Sequence, residues 1–464
     1  MLHTSSSRLA LCRNVRLLCT KVPTNVALKK PSFDIKGIAN NMDNILEVSK
    51  KRELPKHMIE KISGIPKLYE DHKTAMLSTN TLLQEKNTIQ REIKSVMKAK
   101  GDISSLKAKQ VENRLKEKEL SQAMSETEAA LLDAVDLVPN SIDPSVTAEE
   151  QIVRWINPKE EYKSNEKLAH NKIGVELGLV DLASAATVSG SSWYYLLGDG
   201  ALLEQALVQY ALKVARKHGF KMTIPPSIVR NEVAAACGFK PKDLNNEVQT
   251  YQLTNGDLCL TGTAEIPLAG LGINTTFKES ELPIRRVGVS RSYRAEAGAR
   301  GKDTKGLYRV HEFTKVELFV WATEKQSVDE LEKLRSLQED LISSLGLTAK
   351  VINMPYNDLG SPAYKKYDIE AWMPGRESFG EVTSASNCTD FQSRRLNTKY
   401  KSSVDGKNYF VHTLNGTAMA IPRVIIGIME NFYDPATKQI AIPKVLQPYM
   451  DDKEFMCADK NPFS

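Results

Sequence analysis

An α+β fold is predicted by three features of this 464-residue chain. A glycine-poor, heptad-patterned stretch lies near the N-terminus, short strands punctuated by glycine and proline follow after about Pro158, and a charged strand–loop–strand spans residues 294–319. With 41% hydrophobic and 26% charged residues, the chain can bury a large core, and two domains plus tails are expected. No apolar run approaches the length of a membrane span.

The N-terminus accounts for the net charge of +6. Residues 1–33 contain Arg8, Arg13, Arg16, Lys21, Lys29 and Lys30 and no Asp or Glu, so bulk charge says nothing about RNA. Met1 to about Val22 is Ser-rich and acid-free, with Leu9, Leu11, Val15, Leu17 and Leu18 along it. Those are the features of a mitochondrial transit peptide, assigned to residues 1–30, and they imply a matrix location. Arg13 and Arg16 interrupt the apolar core that a secretory signal needs. The six cysteines are scattered without a C-x-x-C pair, which argues against a disulfide framework or a structural zinc and suits a reducing matrix.

Residues 31–140 are expected to form a helical arm. Leu68, Ala75, Leu82, Ile89 and Val96 recur every seven residues, and Leu83 and Ile93 widen the apolar stripe. Gly101-Asp102 breaks that helix, and a second runs from about Ser105 to Val138 with Met124, Leu131 and Val138 in the same spacing. Helices of about 33 residues extend roughly 50 Å, too long to pack on a compact domain, so an antiparallel coiled-coil hairpin is predicted. Between Glu85 and Lys118 ten Lys/Arg face five acids. Lys94, Lys98, Lys100, Lys107 and Lys109 could contact RNA phosphates, or the stretch could be a solvated exterior with pairs such as Glu112–Lys116. Charge alone does not separate the two.

Leu137 to Ser141 reads as a hinge and residues 141–158 as a polar linker, followed by a domain at 159–450 and a tail at 451–464. Leu202–Lys217 has helical periodicity ended by His218-Gly219, and Phe220–Val229 reads as a strand containing Pro225-Pro226. Thr263 and Glu265, two apart after an alternating strand, would share a face, although such a pair also caps helices. In the charged hairpin, alternation puts Arg294 with Glu296, and Phe313 with Lys315, Glu317 and Phe319. Buried without a ligand, each unpaired charge would cost roughly several kcal/mol, so a polyanion or zwitterion is the expected occupant; an edge hairpin exposed to water is the alternative. A P-loop at Gly301-Lys302 fails because Asp303 stands where Ser or Thr is required.

The run Arg294-Ala295-Glu296-Ala297-Gly298 through Arg309-Val310-His311-Glu312-Phe313-Thr314-Lys315-Val316-Glu317 resembles motif 2 of the class II aminoacyl-tRNA synthetases, in its seryl form. The Pro225-Pro226 strand resembles motif 1, the dimer element. Thr261-Gly262-Thr263-Ala264-Glu265 resembles the serine-binding T-x-E element, and His170 to Gly174 with Val188 to Ala201 resembles the entry to the seryl core. Glu381-Val382-Thr383-Ser384-Ala385-Ser386-Asn387-Cys388 with Asp390-Phe391-Gln392 and Arg394-Arg395 matches the family's E-[IV]-[ST]-S-x-S-N-C-x-D-[FY]-Q-x-R-R, and Thr413 to Arg423 resembles motif 3.

The resemblance implies a mixed, mainly antiparallel sheet flanked by helices, and a homodimer that activates L-serine with ATP and transfers it to mitochondrial tRNA(Ser). It assigns catalysis to Arg294, Glu381 and Arg423. ATP would meet Arg294, Ala295, Glu296, Val310, Phe313, Glu381, Val382, Thr383, Ser384 and Arg423, with Arg294 on the α-phosphate, Arg423 on the γ-phosphate, Phe313 stacked on adenine and Glu296 near its amino group. Mg2+ would take oxygens from Glu381 and Ser384. Serine would sit against Thr263, Ala264, Glu265, Arg294, Glu317, Asn415 and Thr417, and the arm would reach toward the tRNA. Lys302 and Lys305 stand where arginine is common, and Ala418-Met419 replaces a more usual pair. Two other classes are weighed against these features: a non-catalytic RNA-binding scaffold, expected to have lost some of Arg294, Glu381 or Arg423, all of which are present, and a ligase that passes an aminoacyl group to a carrier protein, expected to lack the N-terminal arm, which is present.

Overall fold

The computed structural model describes residues 28–241, 247–254, 256–296 and 305–458. Most of the predicted leader, Lys302 and the end of the tail lie outside the described residues.

The arm is a helical hairpin of α1 (Ile65–Lys98, 34 residues) and α2 (Ser104–Val135, 32 residues). Asp102 starts the second helix by accepting the Ser104 amide at 2.9 Å. Short helices at Ile35–Asn40, Met42–Lys51 and Lys56–Ser63 precede the hairpin. In α1 from His72 onward, the residues shielded from solvent are His72, Ala75, Thr79, Leu82, Lys86, Ile89, Ile93 and Val96, a strict three–four spacing. Three of those eight seam positions, His72, Thr79 and Lys86, are polar. His72 Nδ1 lies 3.3 Å from Thr127 Oγ1, and Lys86 Nζ pairs with Glu117 at 2.7 Å. Leu83, expected to widen the stripe, is 39% exposed. A charged pair inside a thin apolar seam fixes register at some cost in stability.

The second domain is built on an eight-stranded sheet. Its strands are β1 (Gln151–Ile156), β2 (Lys221–Thr223), β3 (Ile284–Tyr293), β4 (Glu312–Ala322), β5 (Ala349–Asn353), β6 (Lys365–Met373), β7 (Ser378–Asn387) and β8 (His412–Ala420). Their spatial order is β1-β5-β6-β7-β8-β4-β3-β2, antiparallel throughout except for the parallel β2–β3 pair. The mainly antiparallel sheet is as expected. Helices α3 (Gly198–Lys217), α5 (Glu324–Ser344) and α6 (Ile421–Phe432) cover one face; the short α4 (Glu265–Gly270) belongs to the other side. Along β4, Val316, Leu318 and Val320 join the helical core, whereas Phe313, Lys315 and Glu317 face away from it. Phe319 continues the second set into a smaller apolar cluster with Trp321. Period-two alternation thus gives one dry face and one charged face.

Three boundaries differ from expectation. Residues 141–158 are not a free linker, because β1 pairs with β5 and forms one edge of the sheet. Leu137–Ser141 is not a hinge: Val138 and Asn140 are buried, and Arg52 donates to the carbonyls of Asn140 and Ser141 at 2.9 and 3.1 Å. The stretch 220–229 is not one strand but two. β2 lies in the main sheet, Ile228–Arg230 pairs with Leu258–Leu260, and Pro225-Pro226 sits between them, where a missing N–H leaves no ladder bond broken.

Candidate active site

The charged face of the sheet carries a cleft whose walls include Arg294, Glu296, Phe313, Lys315, Glu381, Ser384, Thr417 and Arg423. Five elements converge there: the segment after β3, strands β4, β7 and β8, and helix α6. Arg294 and Glu296 do so without sharing a strand: β3 ends at Tyr293, and Glu296 adopts φ 46°, so the alternation predicted for them fails while their convergence holds. The Arg294 amide donates to His311 O at 2.9 Å, and the Ala295 amide donates to Gln249 O at 3.0 Å. The Arg294 guanidinium lies 5.3 Å from the centre of the Phe313 ring.

Glu381 and Ser384 are three apart and would point to opposite faces of a regular strand. A bulge resolves this. Ile369 opposes Thr383 and Glu370 opposes Glu381, which leaves Val382 as the extra residue and returns Ser384 to the cleft. Strand β8 repeats the device: Thr417 opposes Glu317 and Met419 opposes Val316, so Ala418 is extra and Thr417 and Ala420 both reach the cleft. Gln338 of α5, fully buried, donates through one Nε2 to Ser384 O at 2.7 Å and Thr417 O at 2.9 Å. Replacing Gln338 by leucine removes the side-chain donor from Ser384 O and leaves Thr417 O with Thr383 as its side-chain donor; we expect a loss of about 2 kcal/mol in urea unfolding and weaker activity than that loss alone explains, because the two bulges lose their common tie.

Arg423, the third residue of α6, donates to the Glu381 carboxylate at 3.2 Å, to Glu381 O at 3.1 Å and to Tyr308 O at 3.3 Å. Tyr308 carries two cations: Arg376 lies 3.6 Å and Arg423 4.6 Å from its ring centre. Burial would raise the Glu381 carboxyl, but Lys366, Arg423, Arg294 and Lys315 together outweigh it and hold it well below the usual carboxylate range. Behind it Asp368, bonded to Lys366 at 2.6 Å, is pushed upward by burial. Arg294 is pulled down by burial and by Arg423. The cleft is therefore an ionised, cation-rich surface.

Beside the cleft lies a smaller polar chamber. Glu265 is buried at the first turn of α4, where its amide donates to Thr263 Oγ1 at 3.2 Å. The Thr263/Glu265 pair is thus a capping turn rather than one face of a strand. Glu265 Oε1 accepts from Gln392 Nε2 at 2.6 Å and Asn415 Nδ2 at 2.8 Å. Burial, then the nearby Glu317, push the Glu265 carboxyl up to about 8 against the opposing pull of Lys315, Gln392 and Arg294. Glu317 pairs with Lys315 at 2.9 Å and accepts from Thr417 Oγ1 at 3.3 Å.

Most of the sequence-derived site converges. The side chains of Ala264 and Val382 are buried in apolar clusters, and Thr383 donates to Thr417 O, so none of these three aims into the cleft. Val310 and Phe313 line it. Tyr308 and Lys315 were missed as site residues. For Lys315 a signal existed, since it alternates with Phe313 and Glu317. His170 was quoted only for resemblance, yet it accepts the Leu307 amide at 3.0 Å through Nε2 and pairs with Glu430 at 2.9 Å through Nδ1. Gly306 is required beside it, with φ 75° and an added Cβ falling 2.2 Å from His170 Nε2. Lys94, Lys98, Lys100, Lys107 and Lys109 are all exposed near the arm tip, but Lys86 is taken up by Glu117 within the seam.

Comparison with known proteins agrees with this geometry. The family model of the tRNA synthetase class II core domain (G, H, P, S and T) matches residues 249–432, and that of the seryl-tRNA synthetase N-terminal domain matches residues 33–142. A mitochondrial serine–tRNA ligase of Saccharomyces cerevisiae is 48% identical over 92% of this chain and 97% of its own length. A serine–tRNA ligase of Treponema denticola is 37% identical over 90% of this chain and 98% of its own. The crystal structure of seryl-tRNA synthetase from Pyrococcus horikoshii complexed with ATP superposes with a TM-score of 0.82 at 35% identity, covering 92% of this chain and all of that one. An ion-lined cleft on an antiparallel sheet, a polar chamber beside it and a helical arm thus occur together in a chain that belongs to the seryl-tRNA synthetases of class II.

Proposed function

We propose that the cleft joins ATP and L-serine into seryl-adenylate and that the chamber holding Glu265 and Glu317 is where serine sits. The chain is a serine–tRNA ligase, and ATP is the nucleotide it binds. The observation that carries the residue assignment is the convergence of Arg294, Glu381 and Arg423 beside two acids able to face an ammonium group. Arg294 meets the α-phosphate, where negative charge grows during attack by the serine carboxylate, and Arg423 meets the γ-phosphate. Adenine stacks on Phe313 with Glu296 near its amino group. Glu265, Glu317, Thr417 and Asn415 orient serine; a site that bonds the hydroxyl rejects alanine because its own buried polar groups would be left unpaired.

Among the described residues, no cluster of three or more His, Cys, Asp or Glu could hold a metal ion by itself. Glu381 and Ser384 nevertheless offer two hard oxygens on one face of β7, which fits a magnesium completed by phosphate oxygens and water. When bound, magnesium would neutralise phosphate charge.

The acceptor is tRNA(Ser) of the mitochondrion, and the setting is the matrix. The exposed lysines at the arm tip meet its phosphates. The working form is a homodimer: β2 leaves a sheet edge open, flanked by Ile224 at 93% and Met222 at 51% exposure next to Pro225-Pro226, and a second copy would cover that face.

The direct test is serine-dependent ATP–pyrophosphate exchange followed by charging of mitochondrial tRNA in one preparation. Exchange without charging would point to a carrier-type acceptor, and neither activity in a folded protein would point to a scaffold. A second expectation concerns the arm. Lys86 and Glu117 face each other, so residues 85–118 can be replaced by a short glycine linker that joins two facing helices whose axes lie about 8–10 Å apart. Exchange should persist at close to the full rate while charging falls by about tenfold or more; undiminished charging would refute the RNA role of the tip.

A further inference from the structure

The arm meets the second domain at a short segment that also supports the chamber. Asn140, 4% exposed, donates through Nδ2 to Pro362 O at 2.8 Å, to Cys388 O at 2.9 Å and to Thr389 Oγ1 at 2.9 Å. Its own carbonyl accepts from Arg52, a buried guanidinium that also reaches the carbonyls of Leu359, Gly360 and Ala363. On the same segment Arg395 holds Asp136, just past the end of α2, at 3.1 Å.

The far side of that segment touches Glu265. Asn415 Nδ2 donates to Cys388 Sγ at 3.4 Å and to Glu265 Oε1 at 2.8 Å. Gln392, four residues beyond Cys388, donates to the same oxygen at 2.6 Å. Residues 388–392 form no strand or regular helix, and Thr389 adopts φ 44°, a left-handed conformation that costs roughly 1 kcal/mol or more and persists only where neighbours impose it. Asn140 is one of those neighbours, and it belongs to the joint of the arm.

We propose that Asn140 is a positioning residue for serine: by fixing Cys388 and Thr389 it sets Asn415 and Gln392 against Glu265, and so ties the seating of the arm to serine affinity. The inference rests on reading Glu265 as a serine ligand. Its physical basis is displacement. Without the two bonds from the Asn140 amide, Cys388 O and Thr389 Oγ1 lose their tie to the joint, and a shift there carries to the two donors that aim Glu265.

The test uses the full-length chain in ATP–pyrophosphate exchange without tRNA. Asn140→Ala is expected to raise the KM for serine by about three- to tenfold, with the KM for ATP changed by less than about twofold. Thr389→Ala should follow in the same direction and Thr389→Ser should restore the wild-type value, which a merely destabilised fold would not do; these two variants decide the matter if Asn140→Ala does not fold. An unchanged serine KM in the folded variants, or an equal rise for serine and ATP, overturns the proposal. Wild-type protein lacking serine-dependent exchange would overturn the serine reading itself, and this inference with it.

Discussion

Arg423→Ala is expected to lower serine-dependent ATP–pyrophosphate exchange by about a thousandfold or more, while affinity for tRNA changes by less than about threefold. The asymmetry follows from where the side chain is tied. Arg423 bonds within the cleft, to Glu381 and to the Tyr308 carbonyl, and among the described residues no hydrogen bond links it to the arm. Its removal deletes a guanidinium from the triphosphate end and frees the Glu381 carboxylate. Lys366, Arg294 and Lys315 remain to keep that carboxylate ionised, so the defect should be loss of phosphate contact rather than collapse of the site. Arg423→Lys keeps the charge but loses the fork, and should recover only part of the rate. Filter binding of tRNA alongside exchange separates the outcomes. An equal loss of both would mean that Arg423 holds the fold and not the nucleotide.

How much of this site could be read from the sequence depends on which rule each residue obeys. Phe313, Lys315 and Glu317 obey simple alternation on an unbroken strand, and their shared face was legible. Glu381 with Ser384 does not, because the bulge at Val382 exists only in relation to the register of β6; a partner strand is invisible in the local pattern. Resemblance supplied that pair where periodicity could not. Arg294 and Glu296 were grouped correctly for a wrong reason, since a left-handed turn and not a strand brings them together. The arm shows the same limit. One row of its heptads is apolar and was legible, but the other includes His72, Thr79 and Lys86, and only the facing helix reveals that Lys86 answers Glu117. The supposed hinge failed because polar residues such as Asn140 suggest exposure, while their buried partners are backbone carbonyls more than two hundred residues away.

Serine binding is expected to release close to one proton near neutral pH, with Glu265 as its source. The carboxyl is raised from an ordinary 4.5 to about 8, by burial first and Glu317 second, so at pH 7 the empty chamber holds it mostly protonated. An ammonium group bound between Glu265 and Glu317 favours the charged form and drives the proton off. Apparent affinity for serine should therefore climb about tenfold from pH 6 to pH 7, rise less steeply to pH 8, and then level until serine loses its own ammonium proton. The stability sign is consistent. A carboxyl whose folded pKa lies above its unfolded one stabilises the empty protein below about 4.5, and that contribution is lost as pH rises through about 8; serine restores it, so the thermal shift on adding serine should be larger at pH 8 than at pH 6. Calorimetric titration in buffers of different ionisation enthalpy reads the proton directly. Glu265→Gln should bind serine weakly and flatten the pH dependence, because Gln has no proton to release. A heat of binding independent of buffer, or a serine KM constant from pH 6 to pH 8, would show that Glu265 is already ionised before serine arrives, and the balance between burial and Lys315 would have to be drawn the other way.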